Sequence, residues 1–276
     1  MGLGCNAAGV IGCRIIDTER ERLLAILTNS ITPCNGRFPM LLTLLSLFFA
    51  SSGIPTLYAS LSLTAVIAFS AAMSLLATRL LSSTVLKGTP GSFLLELPPY
   101  RRPQLGQVLL RSFLDRTLRV LGRAAAVAAP AGVLLWVLAN VSLGGISLIA
   151  RCAAFLDPLG IFVGLDGAVL LAFLLGLPAN ETVLPILLMI YTARGTLVPL
   201  GGTEALRALL LQNGWSATTV LCCLIFCVLH WPCSTTLLTI RKETGRWRWV
   251  FLAAALPTVL GFLLCAGVAA LSRLIG

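Results

Sequence analysis

The sequence predicts an all-α protein, a polytopic membrane helix bundle in which some helices are broken or re-entrant. Of its 276 residues, 58% are hydrophobic and only 11% are charged, whereas a soluble domain carries about 25% charged residues. So few polar residues cannot cover a water-soluble core of this size. The composition therefore excludes a disordered chain, a fibre and an ordinary soluble domain, and it leaves a membrane protein.

The distribution of charge indicates how the chain is oriented. The chain contains twenty Lys and Arg residues and ten Asp and Glu residues, which gives a net charge of +10. The basic residues collect between the apolar runs, mainly in 79–123 and 241–248. Basic loops of membrane proteins lie on the cytoplasmic side. We therefore interpret the excess as a signal of membrane orientation and not of nucleic-acid binding, and we expect both segments to be cytoplasmic.

The elements follow from apolar length, because a spanning helix needs about 20 apolar residues. Thr18 and Glu21 have the spacing of a capping box, which predicts a helix that ends near Asn29. Residues 81–103 form a polar connection, and 104–123 predict a basic amphipathic helix, either at the lipid surface or packed on protein. The stretches that are long enough to span, or nearly so, are 38–54, 56–80, 124–142, 215–240 and 249–272.

A sixth stretch, 167–192, is long enough to span but is interrupted by prolines. Counting crossings from a cytoplasmic residue 123 places residue 241 outside the cell, which contradicts the basic character of its loop. Either one crossing is gained, or one apparent span returns to its own side. Only the short apolar segment 146–164 and the interrupted segment 167–192 can resolve the conflict, so we predict a broken or re-entrant helix there.

The interrupted stretch places polar side chains within apolar sequence. Asn180 and Glu181 lie between Pro178 and Pro185, and Pro185 opposes the carbonyl of Glu181 four residues earlier. A carboxylate at membrane depth costs a few kcal/mol, so it must be neutralised, paired or bound to a cation. Glu181 is therefore a candidate functional residue. The alternative is a protonated Glu181 that bonds to a neighbouring helix.

A second polar motif surrounds the only histidine of the chain. His230 lies near the middle of an apolar stretch, Pro232 frees a backbone carbonyl, and Cys233 follows three residues after His230. The two side chains can therefore share one helical face. An imidazole with a thiolate suits a divalent transition metal. The alternative is that His230 has a purely structural role in packing.

A third motif, Cys5–Asn6, lies between Gly4 and Gly9. Glycines allow the backbone to approach an ion closely, but they equally allow close packing against another helix. By itself this motif favours packing.

The sequence lacks several enzymatic motifs. There is no Gly-x-x-x-x-Gly-Lys-Ser/Thr phosphate loop, no His-Glu-x-x-His zinc motif and no Gly-x-Ser-x-Gly elbow. A single histidine also disfavours a His-based catalytic zinc site. We therefore expect a transporter and not an enzyme, with no GTP site in this chain.

Six phrases occur in order along the chain. They are Gly-Cys-Asn-Ala-Ala-Gly at 4–9, Thr-Glu-Arg-Glu-Arg-Leu at 18–23, Pro-Cys-Asn-Gly-Arg-Phe-Pro at 33–39, Lys-Gly-Thr-Pro with Glu-Leu-Pro-Pro-Tyr-Arg within 87–101, Leu-Pro-Ala-Asn-Glu at 177–181, and His-Trp-Pro-Cys-Ser-Thr-Thr with Lys-Glu-Thr-Gly within 230–245. Together they resemble the ferrous iron transport protein B family. The likeness runs from about residue 2 to the C-terminus.

The resemblance implies Fe2+ uptake across the bacterial inner membrane by a multi-pass protein with two related gate-like halves. On this basis we expect residues 1–80 to form the end of a first gate-like unit with two membrane spans. Residues 81–123 then form the cytoplasmic connection and basic amphipathic helix, and 124–276 form the second gate-like unit. The GTP-binding domain and the earlier membrane helices of that family have no counterpart here, so we expect a split subunit or a fragment.

The resemblance also implies ligands and partners. The family's membrane cysteines match Cys5, Cys34 and Cys233, although Ala7 and Ala8 stand where relatives often carry Val-Pro. Expected partners are membrane lipid, a GTPase domain or N-terminal half of the transporter, a small cytoplasmic accessory protein and further copies of the chain, but no nucleic acid. With the motifs above, the candidate contacts for transported Fe2+ are Cys5, Asn6, Cys34, Asn180, Glu181, His230 and Cys233.

Two other functions fit the sequence. One is a gate-fold transporter of a nucleoside or other small solute, in which the thiols take no part. The other is a non-transporting structural fragment that binds partner helices.

Overall fold

The structure, a computed structural model, describes residues 2–49, 54–88, 106, 118–143, 145–192 and 203–275. These residues are helical apart from turns and one short β-hairpin, which confirms the predicted all-α class. Residues 104, 105 and 107–117 of the predicted amphipathic helix lie outside the described residues, as does the polar connection from residue 89 onward. Residues 119–123 belong to the helix Arg119–Asn140.

The elements follow one another in a simple order. The helices are α1 Asn6–Gly12, α2 Glu19–Thr28, α3 Phe38–Phe49, α4 Pro55–Thr84, α5 Arg119–Asn140, α6 Leu148–Phe162, α7 Gly167–Leu175, α8 Val183–Thr192, α9 Thr203–Gln212, α10 Ala217–Leu229, α11 Ser234–Thr244 and α12 Trp247–Ile275. An antiparallel hairpin of β1 Ser142–Leu143 and β2 Ile146–Ser147 joins α5 to α6. Short 3-10 turns lie at Cys13–Ile15, Asn29–Ile31, Asn35–Arg37 and Asn180–Thr182.

The predicted helix ending near Asn29 is confirmed as α2. Its start differs in detail from a capping box, because the Thr18 hydroxyl donates to the Glu21 carboxylate at 2.8 Å and does not bond to the backbone of the first turn.

Helices α3 and α4 differ in length over the residues that the structure describes. The 30 residues of α4 rise about 45 Å, more than the roughly 30 Å of a hydrocarbon core. The 12 residues of α3 rise only about 18 Å. The near-spanning helix expected at 38–54 is therefore a short helix over its described residues, and it packs one face into the core through Leu41 and Leu44.

The predicted break in 167–192 is confirmed. Helices α7 and α8 have 9 and 10 residues, and each is too short to cross alone. Helix α6 precedes α7 at an angle of 112°, so the pair forms a tight bend. Gly167 permits this bend, because a Cβ there would lie 2.0 Å from the carbonyl oxygen of Ala153 and 2.6 Å from the amide nitrogen of Asp157.

Replacing Gly167 by alanine should therefore destabilise the chain by about 2 kcal/mol, since the clash is with backbone that cannot give way cheaply. Gly132 lies inside α5 with nothing within 4 Å of an added Cβ. Gly132→Ala is the matched control, and we expect it to be neutral or slightly stabilising. Unfolding of the purified variants in detergent measures both. Equal stability of the two variants would contradict the close packing of α6 and α7.

Helices α10, α11 and α12 form the last part of the bundle. Together α10 and α11 cover Ala217–Thr244, which is long and apolar enough to span, and α12 provides another such helix. Between α11 and α12, Gly245 adopts a left-handed φ of 68° and reverses the chain. The guanidinium of Arg241 lies 3.9 Å from the ring centroid of Trp247, so a cation–π contact joins the end of α11 to the start of α12.

The outer surface of the bundle is apolar, as a membrane protein requires. In the described part of the chain, α4, the α10–α11 pair and α12 meet the length and hydropathy of a membrane span. Large hydrophobic side chains point outward from these and neighbouring helices, far beyond what a soluble protein exposes. Examples are Leu61, Leu75, Leu134, Trp136, Phe155, Phe251, Leu263 and Leu274. The structure is therefore a helical membrane bundle.

Two packed clusters hold the bundle together. The larger one lies among α3, α7, α8 and α10, with Phe173 against Phe226 at 5.0 Å between ring centroids. A smaller cluster joins α1 and α2 to α11 and α12 through Val10, Leu27 and Ile240. The breaks between helices lie against the larger cluster, which holds their polar residues in fixed positions.

Candidate functional site

Three helix breaks meet inside the bundle, and each carries a proline that cannot continue a helix. We call the segments 33–37, 177–182 and 230–234 together the junction. A Cβ added to Gly36 would lie 3.7 Å from the Asn180 Cβ and 3.7 Å from the Glu181 amide nitrogen, so the first two segments touch. The backbone N–H of Ser234 donates to the Leu177 carbonyl at 2.8 Å, so the third segment touches the second.

One buried side chain from each segment takes part in a continuous polar chain. The Asn180 Nδ2 donates to Cys34 Sγ at 3.7 Å, and the His230 Nε2 lies 3.4 Å from Asn180 Oδ1. The exposed fractions are 8% for Cys34, 8% for Asn180 and 1% for His230. A thiol, an amide and an imidazole that are far apart in the sequence are therefore adjacent within the core.

The hydrogen bonds of His230 define its tautomer. Its Nδ1 lies 2.9 Å from the Cys227 carbonyl and 3.1 Å from the Phe226 carbonyl. A carbonyl only accepts, so Nδ1 carries the proton and Nε2 presents its lone pair to Asn180. A histidine that donates its other ring nitrogen to a backbone carbonyl is the usual arrangement of a metal ligand.

The contact between His230 and Asn180 is suited to a cation. In the orientation observed, the Nε2 lone pair faces the amide oxygen at 3.4 Å, so two acceptors oppose each other. The repulsion between the two acceptors is relieved by a cation that binds both. It is also relieved if the amide of Asn180 is turned so that its Nδ2 faces the imidazole. The Phe173 ring packs on the imidazole at 4.8 Å between centroids and limits access of water to this face.

Arg37 ties the first segment of the junction to the third. Its Nη1 donates to the carbonyls of Val228 at 2.7 Å and Ser30 at 3.2 Å. Its Nη2 donates to the carbonyls of His230 at 3.3 Å and Trp231 at 3.4 Å. The guanidinium thus caps the carbonyl end of α10, where the helix dipole favours a cation. Only 1% of Arg37 is exposed, and within the described residues no carboxylate pairs with it.

The remaining candidates lie around this centre. Cys5 is exposed at the start of α1, and Glu181 is exposed beside Asn180. Cys233 precedes α11, with its Sγ 3.2 Å from Thr236 Oγ1. Asn6 is buried. When its side-chain nitrogen faces the carbonyls of Thr32 and Gly2, it donates to them at 3.2 Å and 3.0 Å.

The seven candidates therefore do not form one ligand set in this structure. Among the residues that the structure describes, no group of three or more His, Cys, Asp or Glu side chains is placed to hold a metal ion. Cys34, Asn180 and His230 are adjacent. The backbone N–H of Asn35 donates to the Gly4 carbonyl at 3.2 Å, which brings the Cys5 segment next to that of Cys34.

Sequence reasoning assigned no role to Arg37, although the position has a recognisable signal. It is a lone basic residue directly before the apolar run of α3. A second polar group, near the start of α10, was also missed. The Trp215 indole donates to the Tyr191 hydroxyl at 2.7 Å, and that hydroxyl donates to the Asp166 carboxylate. Asp166 in turn caps α7 through the Val169 amide, so this group fixes the α6–α7 bend against α8.

Two family profiles match the chain. The profile described as "Ferrous iron transport protein B C terminus" matches residues 63–115, and the Gate profile, described as "Nucleoside recognition", matches residues 121–247. No solved structure matches the chain.

Curated relatives match the chain from end to end. The "Fe(2+) transporter FeoB" of Staphylococcus aureus is 28% identical over 275 residues, which cover 96% of this chain and 38% of the relative. The protein of the same name from Methanocaldococcus jannaschii is 26% identical and covers 100% of the chain and 41% of its own length. A Porphyromonas gingivalis "Fe(2+) transport protein A/Fe(2+) transporter FeoB fusion protein" is 23% identical over 96% of the chain and 36% of its own length.

The chain thus spans about two-fifths of the length of these relatives. The profile and relative matches agree with the order of the six phrases and with the helical membrane bundle. Over almost its whole length the chain is similar to the ferrous iron transport protein B family, and it matches the C-terminal membrane part of those proteins.

Proposed function

We propose that this chain forms the membrane permease part of a ferrous iron uptake system, and that Fe2+ passes along the junction. The observation that carries the proposal is the buried chain of Cys34, Asn180 and His230, in which three helix breaks contribute a sulfur, an oxygen and a nitrogen. The name of the relatives, "Fe(2+) transporter", supports Fe2+ as the transported ion.

The chemistry of these donors suits a transported ion. Thiolate and imidazole prefer borderline transition metals to Mg2+ or Ca2+. With the amide oxygen they replace part of the water shell of the ion, and the rest of the shell stays with water. Because a conducted ion must leave again, a few loose contacts serve better than a closed tetrahedral site.

We place the other candidates at the ends of this path. Cys5 lies next to the first segment of the junction through the Gly4–Asn35 hydrogen bond, Glu181 is adjacent to Asn180, and Cys233 follows His230 in the third segment. All three are reached more readily from outside the core than Cys34 is. Asn6, whose amide contacts two carbonyls, positions the Cys5 segment.

Opening of the path is proposed to depend on the cytoplasmic face. Arg14 and Glu243 form an ion pair at 2.7 Å that joins the N-terminal segment to the end of α11, beside the basic loop 241–248. The hydrogen bond to Glu243 raises the pKa of Arg14 above its usual value, so Arg14 stays charged at neutral pH. We propose that a GTP-binding domain, supplied by the N-terminal half of the transporter, acts on this face.

The proposed setting is the bacterial inner membrane, which the chain crosses several times in contact with lipid and as an oligomer. The fusion of "Fe(2+) transport protein A" to one relative supports a small cytoplasmic accessory protein as a further partner. A nucleoside transporter is the second candidate, because residues 121–247 match the profile described as nucleoside recognition.

Cys34→Ser is the direct test of the proposal. In an uptake-deficient bacterium that also makes the upstream part of a relative, we expect this variant to lower the initial rate of radioactive iron uptake by at least roughly tenfold. The loss follows because serine replaces a buried sulfur by a harder oxygen. Cys152→Ser, at a half-buried thiol on α6, is the matched control and should transport normally.

Competition separates the two candidate functions. Excess Co2+ should inhibit uptake if the path conducts divalent metals, whereas inhibition by nucleosides alone would favour the second candidate. Normal iron uptake by Cys34→Ser at normal membrane abundance would rule out the thiol as an ion contact.

A further inference from the structure

Three buried polar atoms at the junction have no hydrogen-bond partner among the described residues. They are Arg37 Nε, Trp231 Nε1 and Ser234 Oγ. Their residues are linked, because Arg37 Nη2 donates to the Trp231 carbonyl. Trp231 lies within the short break between α10 and α11, and Ser234 is the first residue after it. All three atoms can donate a hydrogen bond, so the partner that suits them is an acceptor.

The electrostatics of the same place favour a negative charge. Arg37 is 99% buried with a full positive charge, and its observed partners are neutral carbonyls. Helix α11 begins at Ser234, so the positive end of its dipole lies at this break. A buried charge with no counter-charge is costly, and water offers acceptors without neutralising it.

We propose that Arg37, Trp231 and Ser234 bind a small monovalent inorganic anion, such as chloride, at the break between α10 and α11. A halide loses its water more cheaply than sulfate or phosphate does, and both Arg37 and Ser234 are more than nine-tenths buried. The anion accepts hydrogen bonds from the three donors and offsets the charge of Arg37.

The anion site has a consequence for the proposed path of Fe2+, and this part rests on the proposed function. The guanidinium that the anion neutralises is hydrogen-bonded to the carbonyl of His230, next to the imidazole that faces Asn180. An entering divalent cation is repelled less when the anion is present. By linkage, each ion then strengthens the binding of the other.

Chloride binding is tested on the purified chain in detergent and without iron, so its result is independent of the proposed function. Chloride replaces gluconate at constant ionic strength while thermal unfolding is followed. We expect a saturable rise of the melting temperature in the native chain. Trp231→Phe and Ser234→Ala each remove one donor and should weaken the apparent chloride affinity by about fivefold.

Trp136→Phe is the matched control, because Trp136 is exposed on α5, and its chloride affinity should equal that of the native chain. The proposal is overturned if the native chain responds equally to chloride and gluconate, or if both donor variants keep the native affinity. Ser234→Ala removes a single oxygen atom, so it decides the question alone if Trp231→Phe does not fold.

Discussion

Replacing His230 by glutamine is expected to reduce Fe2+ uptake on the order of 100-fold, more than any other single change at the junction. The imidazole is the only one in the chain, and its Nε2 lone pair is directed at Asn180 because Nδ1 donates to the carbonyls of Phe226 and Cys227. Glutamine keeps a donor for these carbonyls but offers an amide in place of a basic nitrogen. The initial rate of radioactive iron uptake measures the effect.

The control for this prediction is Phe173→Leu. The Phe173 ring packs on the imidazole at 4.8 Å between centroids, so leucine disturbs the packing of His230 and leaves its nitrogens in place. We expect only a few-fold loss of uptake from this change. If both variants lose uptake equally while their membrane abundance stays normal, His230 acts through packing and not as an ion contact.

The sequence predicted the local features of this site well. A proline-interrupted helix was predicted in 167–192, and it is present as the interruption between α7 and α8. At Pro232 the sequence predicted only a freed backbone carbonyl within one spanning stretch, whereas α10 ends at Leu229 and α11 begins at Ser234. Proline acts on the helix that contains it, so its effect can be recognised without knowledge of the fold. Polar residues beside such breaks were correctly identified as unusual for apolar stretches.

The combination of these residues could not be predicted in the same way. Cys34 and Asn180 are 146 residues apart, and Asn180 and His230 are 50 apart. Periodicity describes only one helix at a time, so it does not show which breaks meet. The sequence therefore treated His230 with Cys233 as the natural pair, whereas in the structure Asn180 lies against His230 and the Cys233 thiol contacts Thr236.

The surroundings of an apolar helix were a second point that composition could not define. The apolar character of 38–49 is as strong as that of a spanning helix, yet one face of α3 packs against protein in the described residues. Hydropathy reports burial in an apolar environment, and the interior of a bundle provides that as well as lipid does. Leu41 and Leu44 of α3 are almost fully buried, so part of this helix faces protein.

Arg37 is where the fold and the proposed function depend on the same side chain. It links the turn that carries Cys34 to the break that carries His230, so it sets the position of two of the three proposed ion contacts. The positive charge of Arg37 would repel Fe2+ in the neighbouring proposed path unless that charge is compensated. The carbonyl end of α10 supplies part of that compensation, and the proposed anion supplies the rest.

Replacing Arg37 by methionine is the stability change that we expect to be largest. Methionine fills a similar volume but leaves the carbonyls of Ser30, Val228, His230 and Trp231 without this donor. At about 1 kcal/mol for each carbonyl, the loss is roughly 4 kcal/mol. The relief of burying no charge offsets part of this loss, and we expect a net destabilisation of the chain. Unfolding of the purified chain in detergent measures it.

Two further variants separate hydrogen bonding from charge at this position. Arg37→Lys keeps the charge but lacks the planar guanidinium that reaches both sides of the junction. We therefore expect its stability to lie between that of the native chain and that of Arg37→Met. Arg79→Met, at an exposed position on α4, is the matched control and should change stability by less than about 0.5 kcal/mol. If Arg37→Met proves as stable as the native chain, the lost hydrogen bonds and the relief of burying no charge cancel, and the guanidinium makes no net contribution to folding. That result would contradict the expected loss.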